Sequence, residues 1–266
     1  MKLSFIGTGN MGGAILRAVC TEFSPADVCI SNRSYEKSAA LAAELGCRAA
    51  KSNPECVQGA DFVFLGVKPN MISAVLAEIA PALGENAVLV SMAAGVSGDA
   101  MRDALGDKSR APLIRILPNT PCAVGRGLIL VAPCGEVPAE KLDALKTLLA
   151  PCGLVKDTDE AHADAGMVVG GCTPAYTYMF IEALADGGVR CGLPRADALA
   201  WAAQAVAGAA ELLLQSGQHP GALKDAVCSP GGSTIEGVRA LENAAFRGAV
   251  MDAVSAAFFK DWNHGK

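Results

Sequence analysis

This sequence has no positive charge to spare, few histidines, no close pair of cysteines and no long uninterrupted apolar run. Twenty-two Lys and Arg stand against 27 Asp and Glu, a net charge of −5. That balance excludes a dedicated nucleic-acid binder, which carries a basic excess or stripe. The longest uncharged run, Ala165 to Ile181, is broken by three glycines, a proline, two threonines and two tyrosines. A membrane span needs about 20 mostly apolar residues, so no membrane partner is expected. The first residues, Met1 to Ile6, reach Gly7 without the apolar stretch and cleavage site of a secretory signal. A soluble, cytoplasmic chain is therefore expected. Cysteines number ten, yet there is no C-x-x-C, and the closest pairs, Cys20/Cys29 and Cys47/Cys56, stand nine residues apart. The histidines are His162, His219 and His264 only. Zinc sites need ligands a few residues apart on one turn, so no metal site is expected and the cysteines read as small core hydrophobes.

What the chain does have is apolar surface, 52% hydrophobic residues against 18% charged over 266 residues. That suffices for two domains at roughly 150 residues each. In the first half, short strand-like runs alternate with helical stretches. Lys2–Ile6, Asp27–Ser31, Asp61–Leu65, Ala87–Ser91 and Leu113–Leu117 read as strands; Met11–Glu22, Tyr35–Leu45, Met71–Ala80 and Ser97–Leu105 read as the helices between them. This cadence makes right-handed crossovers and a parallel sheet. Gly127–Val131 and Leu154–Lys156 read as edge strands flanking a helix, Pro138–Ala150, with Pro138 in its first turn.

After about Asp159 the strand-like runs stop. Ala161–Gly187, Pro194–Ser216, Pro220–Val227, Ser233–Asn243 and Phe246–Trp262 read as successive helices, punctuated by Gly187-Gly188, Gly217 and Gly248. The fold class expected is an α/β Rossmann-type domain with a mainly parallel sheet, residues 1–158. An all-α domain, residues 159–266, follows. So much apolar surface on about 100 helical residues implies a partner face, hence a homodimer. Tyr176 and Tyr178 read as core aromatics of a buried helix.

Gly7-Thr8-Gly9-Asn10-Met11-Gly12 fits G-x-G-x-x-G directly after a strand and at the opening of a helix. Gly7 permits the tight turn, Gly9 lets a pyrophosphate approach the backbone, and Gly12 lets helix and strand pack closely. The helix start then offers unpaired N–H groups and a positive dipole end to phosphate. An NAD-selective site ends its second strand with Asp or Glu. Here the strand ends Ser31-Asn32-Arg33-Ser34, with no acid before Glu36. Arg33 can pair with a 2′-phosphate and its neighbours can hydrogen-bond to it, so NADPH is expected over NADH. An ordinary solvated arginine is the other reading. Val67-Lys68-Pro69, Ala93-Ala94-Gly95 and the loop at Asn119 follow later strands, where open α/β sheets bind ligands; turn chemistry alone would also explain them.

A second glycine-rich segment, Cys228-Ser229-Pro230-Gly231-Gly232-Ser233-Thr234, leads into a helix. Exposed N–H groups at a helix start suit a small carboxylate, and Ser229, Ser233 and Thr234 add hydroxyls. A structural cap is the alternative.

On these segments the sequence resembles the pyrroline-5-carboxylate reductase family, nearly end to end. The resemblance covers Phe5 to Gly12, Val67-Lys68-Pro69, Ala93 to Val96, Arg115 to Pro121, Pro174-Ala175-Tyr176, Glu182 to Asp186 and Gly192 to Arg195. It also covers Lys224 to Val227 and Ser229 to Thr234. Three positions depart from the family pattern: Ser233, more often Thr or Ala, and Cys172-Thr173, more often Ser-Gly. The resemblance implies reduction of a cyclic imine, 1-pyrroline-5-carboxylate, to L-proline with NADPH or NADH, the last step of proline synthesis. It also implies a helical domain that interlocks two subunits, with dimers assembling into larger rings. By the family pattern Thr234 lies beside the ring nitrogen as the catalytic hydroxyl, and Ser229 with the backbone of Gly231, Gly232, Ser233 and Thr234 holds the carboxylate. Asn53 matches a cofactor-contacting asparagine. Both Asn53 and Thr234 could instead be helix caps. A β-hydroxyacid dehydrogenase is a rival enzyme, but its catalytic helical lysine has no counterpart between Lys156 and Lys224. A non-catalytic NADPH sensor is the rival of another class.

Overall fold

The structure is a computed structural model that describes residues 1–106 and 110–262; the end of the expected second domain, 263–266, lies outside them. The chain divides into two compact units, Met1–Gly171 and Cys172–Lys260.

The first unit runs β1 (Leu3–Ile6), α1 (Asn10–Val19), β2 (Val28–Ser31), α2 (Tyr35–Leu45), β3 (Arg48–Ala49), α3 (Asn53–Val57), β4 (Phe62–Leu65) and α4 (Ile72–Ile79). It continues with β5 (Val88–Ser91), α5 (Gly98–Leu105), β6 (Leu113–Pro118), β7 (Gly127–Pro133), α6 (Ala139–Leu149), β8 (Gly153–Asp157) and α7 (Glu160–Met167). The eight strands form one sheet in the order β3-β2-β1-β4-β5-β6-β7-β8. Every neighbouring pair is parallel except β6 and β7. Strands β1, β2, β4, β5 and β6 are buried along their whole length. Continuous apolar runs such as Phe62-Val63-Phe64-Leu65 are what a strand covered on both faces requires. Two cores result. One face carries Leu3, Phe5, Ile15, Leu16 and Ile30, the other Ile6, Val63, Leu65, Ile72 and Leu76. Phe5 and Phe64, paired in register on β1 and β4, stack with ring centroids 4.4 Å apart. Each such side chain contributes roughly 1.5–3 kcal/mol by leaving water.

Several details differ from the sequence reading. Strand β7 is interior, because β8 pairs outside it, and it runs antiparallel to β6 after the short turn at Thr120–Val124. The opposite edge is β3, too short and too polar to show an alternating pattern. Pro138 is the N-cap of α6, one residue ahead of the helix. The first unit also keeps α7 and the π-helical turn Val168–Cys172 as far as Gly171, beyond the change of residue usage at Asp159. Buried Ala163 packs with Leu117 and Ala132, which ties α7 to the sheet.

The second unit consists of α8 (Thr173–Arg190), α9 (Arg195–Ser216), α10 (Pro220–Ala226), α11 (Ser233–Asn243) and α12 (Phe246–Trp262). Gly187 and Gly188 do not break α8; its stop comes at Gly192, with φ +98°. Gly188 instead gives α9 room, since a Cβ there would stand 3.2 Å from Ala198 Cβ. Gly248 likewise lies inside α12, and the turn before that helix is made by Ala245 at φ 55°. Gly217 does end α9, in the left-handed conformation. Among the described residues of this unit only Ala185 and Ala198 are buried apolar side chains, while Tyr178, Met179, Trp201, Leu214 and Met251 are each more than half exposed. Tyr178 is thus a surface residue of the single chain, correcting the core assignment. Tyr176 is partly buried and donates from its hydroxyl to Ala253 O. Helix α9 is long and apolar enough to cross a membrane by length and composition.

Candidate active site

Parallel β1, β2, β4, β5 and β6 deliver their C-terminal ends to one edge of the sheet, and the chain switches sides between β1 and β4. At that switch Gly7 has φ +86°. A Cβ on Gly12 would lie 2.3 Å from Gly7 O, and one on Gly66 2.2 Å from the same atom. The Gly7 carbonyl is therefore sandwiched between α1 and the end of β4, and only hydrogen fits on either side. Gly9, the N-cap of α1, has nothing within 4 Å of its Cβ position. This is a cradle open where a phosphate would rest and closed where helix meets strand. In its rim, Gly7 N donates to Ser31 O and Gly13 N to Gly9 O. The first-turn N–H groups of Asn10, Met11 and Gly12 have no acceptor within the helix. They present the positive end of α1, a fit to a pyrophosphate.

The end of β2 divides its residues by role. Asn32 grips the turn: Thr8 N donates to Asn32 Oδ1 at 2.7 Å, and Asn32 Nδ2 donates to Thr8 Oγ1 at 2.7 Å. Ser31 is 2% exposed and donates its hydroxyl to Asn53 Oδ1, so it faces inward rather than toward a phosphate as expected. Asn53 in turn donates to Glu78 Oε2. The cap of α3 is Ser52, whose hydroxyl accepts from Glu55 N, so Asn53 is not the cap. Arg33 is exposed with no ion-pair or hydrogen-bond partner among the described residues. The Ser34 hydroxyl donates to Glu36. Glu36's own backbone N–H and that hydroxyl hold its carboxyl below the ordinary range.

On the same edge, Val67 is half-buried and Lys68 and Pro69 are exposed at the end of β4. Beyond β5, Ala93 is buried, Ala94 half-buried, and Gly95 exposed with φ +69°. Asn119 has its side chain committed: Nδ2 donates to Gly170 O at 2.9 Å, and Oδ1 accepts from Leu128 N at 2.9 Å. It braces the π-helical turn and the start of β7. Gly66 was not singled out from sequence, although a glycine directly after the β4 run was the available signal.

In the second unit, Ser229 to Thr234 form a tight turn into α11. Gly232 N donates to Ser229 O at 3.0 Å, and Gly231 has φ +69°. The N-cap is Gly232 and no side chain caps the helix, so Thr234 is not a cap. A Cβ on Gly232 would lie 2.4 Å from Ser229 Oγ, so the glycine lets that hydroxyl keep its place over the turn. Ser229, Gly231, Ser233 and Thr234 are exposed. The backbone N–H groups of Ser233 and Thr234 head the helix without acceptors in it. All ten cysteines are free thiols.

Known proteins match both units. A family model described as NADP oxidoreductase, coenzyme F420-dependent, matches residues 2–95, and one described as pyrroline-5-carboxylate reductase dimerisation matches residues 160–261. The pyrroline-5-carboxylate reductase of Escherichia coli K12 is 42% identical over 97% of this chain and 96% of its own length. Pyrroline-5-carboxylate reductase 3 of Danio rerio is 40% identical over 97% and 89%. The crystal structure of Plasmodium falciparum pyrroline carboxylate reductase with NADP bound superposes with a TM-score of 0.89 at 29% identity, covering 100% of this chain and 98% of that one. With identity at this level along nearly the whole of both units, the chain belongs to the pyrroline-5-carboxylate reductase family.

Proposed function

We propose a residue-by-residue division of labour for the family's reaction, the NADPH-dependent reduction of 1-pyrroline-5-carboxylate to L-proline that ends proline biosynthesis. The observation that carries it is the presence, in one chain, of a phosphate cradle at Gly7–Gly12 and of a tight turn at Ser229–Thr234 that brings exposed hydroxyls to an uncapped helix start. Bound NADPH supplies the hydride. The N–H groups of Asn10, Met11 and Gly12 hold its pyrophosphate, with Gly7 and Gly9 leaving room. Thr8 and Asn32 stiffen the turn, and Arg33 with Ser34 takes the 2′-phosphate. Ser31 acts through Asn53 rather than by direct contact. Val67, Lys68, Pro69, Ala93, Ala94 and Gly95 border the nicotinamide end, and Asn119 braces that border.

Ser229 Oγ and the N–H groups of Gly231, Ser233 and Thr234 hold the substrate carboxylate, Gly232 shapes the turn through its own N–H bond to Ser229 O, and Ser233 adds a hydroxyl. Thr234 Oγ1 orients at the ring nitrogen, which gains basicity as the C=N bond is reduced. A hydroxyl is a weak acid, so Thr234 steers or relays a proton rather than releasing one. Holding two reactants in contact removes about 7–11 kcal/mol of barrier, so no charged acid–base residue is required.

The exposed apolar faces of α8, α9 and α12 are covered by a second copy, making a homodimer that can assemble further in the cytoplasm, and NADH serves as the poorer reductant. Purified full-length protein should oxidise NADPH only when the cyclic imine is present, with L-proline formed in equal amount. NADPH oxidation with a keto-acid or semialdehyde-acid in place of the imine would favour the β-hydroxyacid dehydrogenase reading. Absence of turnover with every substrate would leave an NADPH sensor. Sedimentation as a monomer at micromolar concentration would count against the dimer.

A further inference from the structure

Arg115 is an ionised side chain on a central strand and only 4% exposed. Its guanidinium meets two carboxylates from α7: Nη2 donates to Asp164 Oδ1 at 2.9 Å, and Nη1 stands 3.6 Å from Glu160 Oε1. Its Nε has no hydrogen-bond partner. Glu160 Oε1 is nearer to another group, accepting from Gly98 N, the first residue of α5, at 2.7 Å. The fit there is close: a Cβ on Gly98 would lie 2.7 Å from Cys134 Cβ and 3.0 Å from Glu160 Oε1. Cys134 also points its thiol at Glu160, and burial together with that carboxylate pushes the thiol up to about 11, leaving it a neutral donor.

Gly98 and Ser91 are the two ends of the loop that contains Ala93-Ala94-Gly95. Ser91 lies in register beside Arg115, and its buried hydroxyl accepts from Ala93 N at 3.3 Å. One end of the loop is thus tied to β5 and the other to Glu160, which stands beside Arg115, itself held by Asp164.

We propose that Arg115, Glu160 and Asp164 are positioning residues that set the loop Met92–Ser97 against the nicotinamide from beneath the sheet edge. This rests on the assignment of that loop to the cofactor. The Arg115 cation fixes Glu160 so that Gly98 N is held, and with it the start of α5. A carboxylate without Arg115 would be drawn to solvent, since Glu160 is 40% exposed.

Glu160→Ala and Glu160→Gln separate positioning from simple stabilisation. Both remove the charge beside Arg115 and both should lower the Tm, but only the glutamine keeps an acceptor for Gly98 N. Glu160→Ala should raise the KM for NADPH about tenfold and enlarge the primary deuterium isotope effect with NADPH deuterated at the transferred position, while Glu160→Gln should raise KM less than about threefold. Equal losses of Tm with KM and isotope effect unchanged in both would overturn the proposal. If Glu160→Ala does not fold, Gly98→Ala, whose methyl crowds Cys134 as well as the same carboxylate, must raise KM, and an unchanged value overturns it equally. Ala94→Leu tests the underlying assignment. Unchanged NADPH kinetics there would remove the loop from the cofactor site, whereas a raised KM there beside a normal Glu160→Ala enzyme would sink the positioning role alone.

Discussion

Asn32 and Thr8 are joined by two antiparallel hydrogen bonds, each 2.7 Å long, so one side-chain amide at the end of β2 reads both the backbone and the hydroxyl of the turn after β1. The bond to Thr8 N removes a donor from the cradle. Phosphate recognition is left to the helix-start N–H groups, while the turn itself is fixed before any ligand arrives.

Replacing Asn32 by Asp keeps the acceptor for Thr8 N, loses the donor to Thr8 Oγ1, and places a negative charge beside the cradle. Losing one hydrogen bond and adding repulsion should cost about 1–2 kcal/mol in cofactor binding, a rise of roughly 5- to 30-fold in the NADPH KM. Asn32→Ala should lower the Tm as well, because Thr8 N is then left without its partner. Steady-state kinetics at two ionic strengths checks this: the penalty for Asp should shrink with salt, and that for Ala should not.

Arg33 has no partner among the described residues, so its guanidinium is free to meet a 2′-phosphate. Charge-assisted hydrogen bonds contribute about 1.5–3 kcal/mol. Arg33→Ala should therefore raise the KM for NADPH by roughly 10- to 150-fold and leave that for NADH within about threefold. Equal effects on both cofactors would mean that the 2′-phosphate is held elsewhere.

Gly66→Ala tests the packing of the switch point. The new methyl would meet Gly7 O at 2.2 Å and Gly12 Cα at 3.3 Å, both parts of the backbone that cannot swing aside. Overpacking of this kind costs about 1–3 kcal/mol. At 2–4 °C per kcal/mol, the Tm should fall by about 2–12 °C. Because the strain is released by lifting α1 off the sheet, NADPH affinity should fall with it. A calorimetric scan with and without NADPH measures both.

Much of this was legible in the residues, for identifiable reasons. Doubly buried parallel strands announce themselves as short apolar runs, and Phe62–Leu65 and Val88–Ser91 fell within a residue of the expected bounds. The nucleotide turn was legible because Gly7, Gly9 and Gly12 each answer a separate steric demand. Strand β3 was not, since two residues leave no periodicity, and neither was the antiparallel turn of β7, which depends on how Thr120–Val124 coils. Gly187-Gly188 misled because glycine reads as a breaker when its use is close helix packing. Ser31 reads from sequence as a hydrogen-bonding neighbour of a 2′-phosphate, whereas its buried hydroxyl donates to Asn53, 22 residues on, a partner no local pattern shows. The Arg115 cluster joins residues 98, 115, 160 and 164, too far apart along the chain for any local pattern to gather.

Thr234 is the second residue of α11, exposed and outside the capping arrangement, so its hydroxyl has no structural duty in the single chain. A group of that kind can be removed without disturbing the helix start, since Gly232 already supplies the cap and Gly231 the turn. Thr234→Ala should therefore leave the Tm within about 1 °C, as surface changes without a structural role do. If the hydroxyl meets the developing amine, turnover should fall about 10- to 1000-fold, or 1.4–4 kcal/mol. Thr234→Ser restores the hydroxyl and should recover most of that loss, though not all, because χ1 of serine is less restricted than that of threonine and its hydroxyl is less well oriented. Full turnover in the alanine variant would show that the carboxylate ring alone places the imine. A serine variant as slow as alanine would shift the role from the hydroxyl to the methyl group.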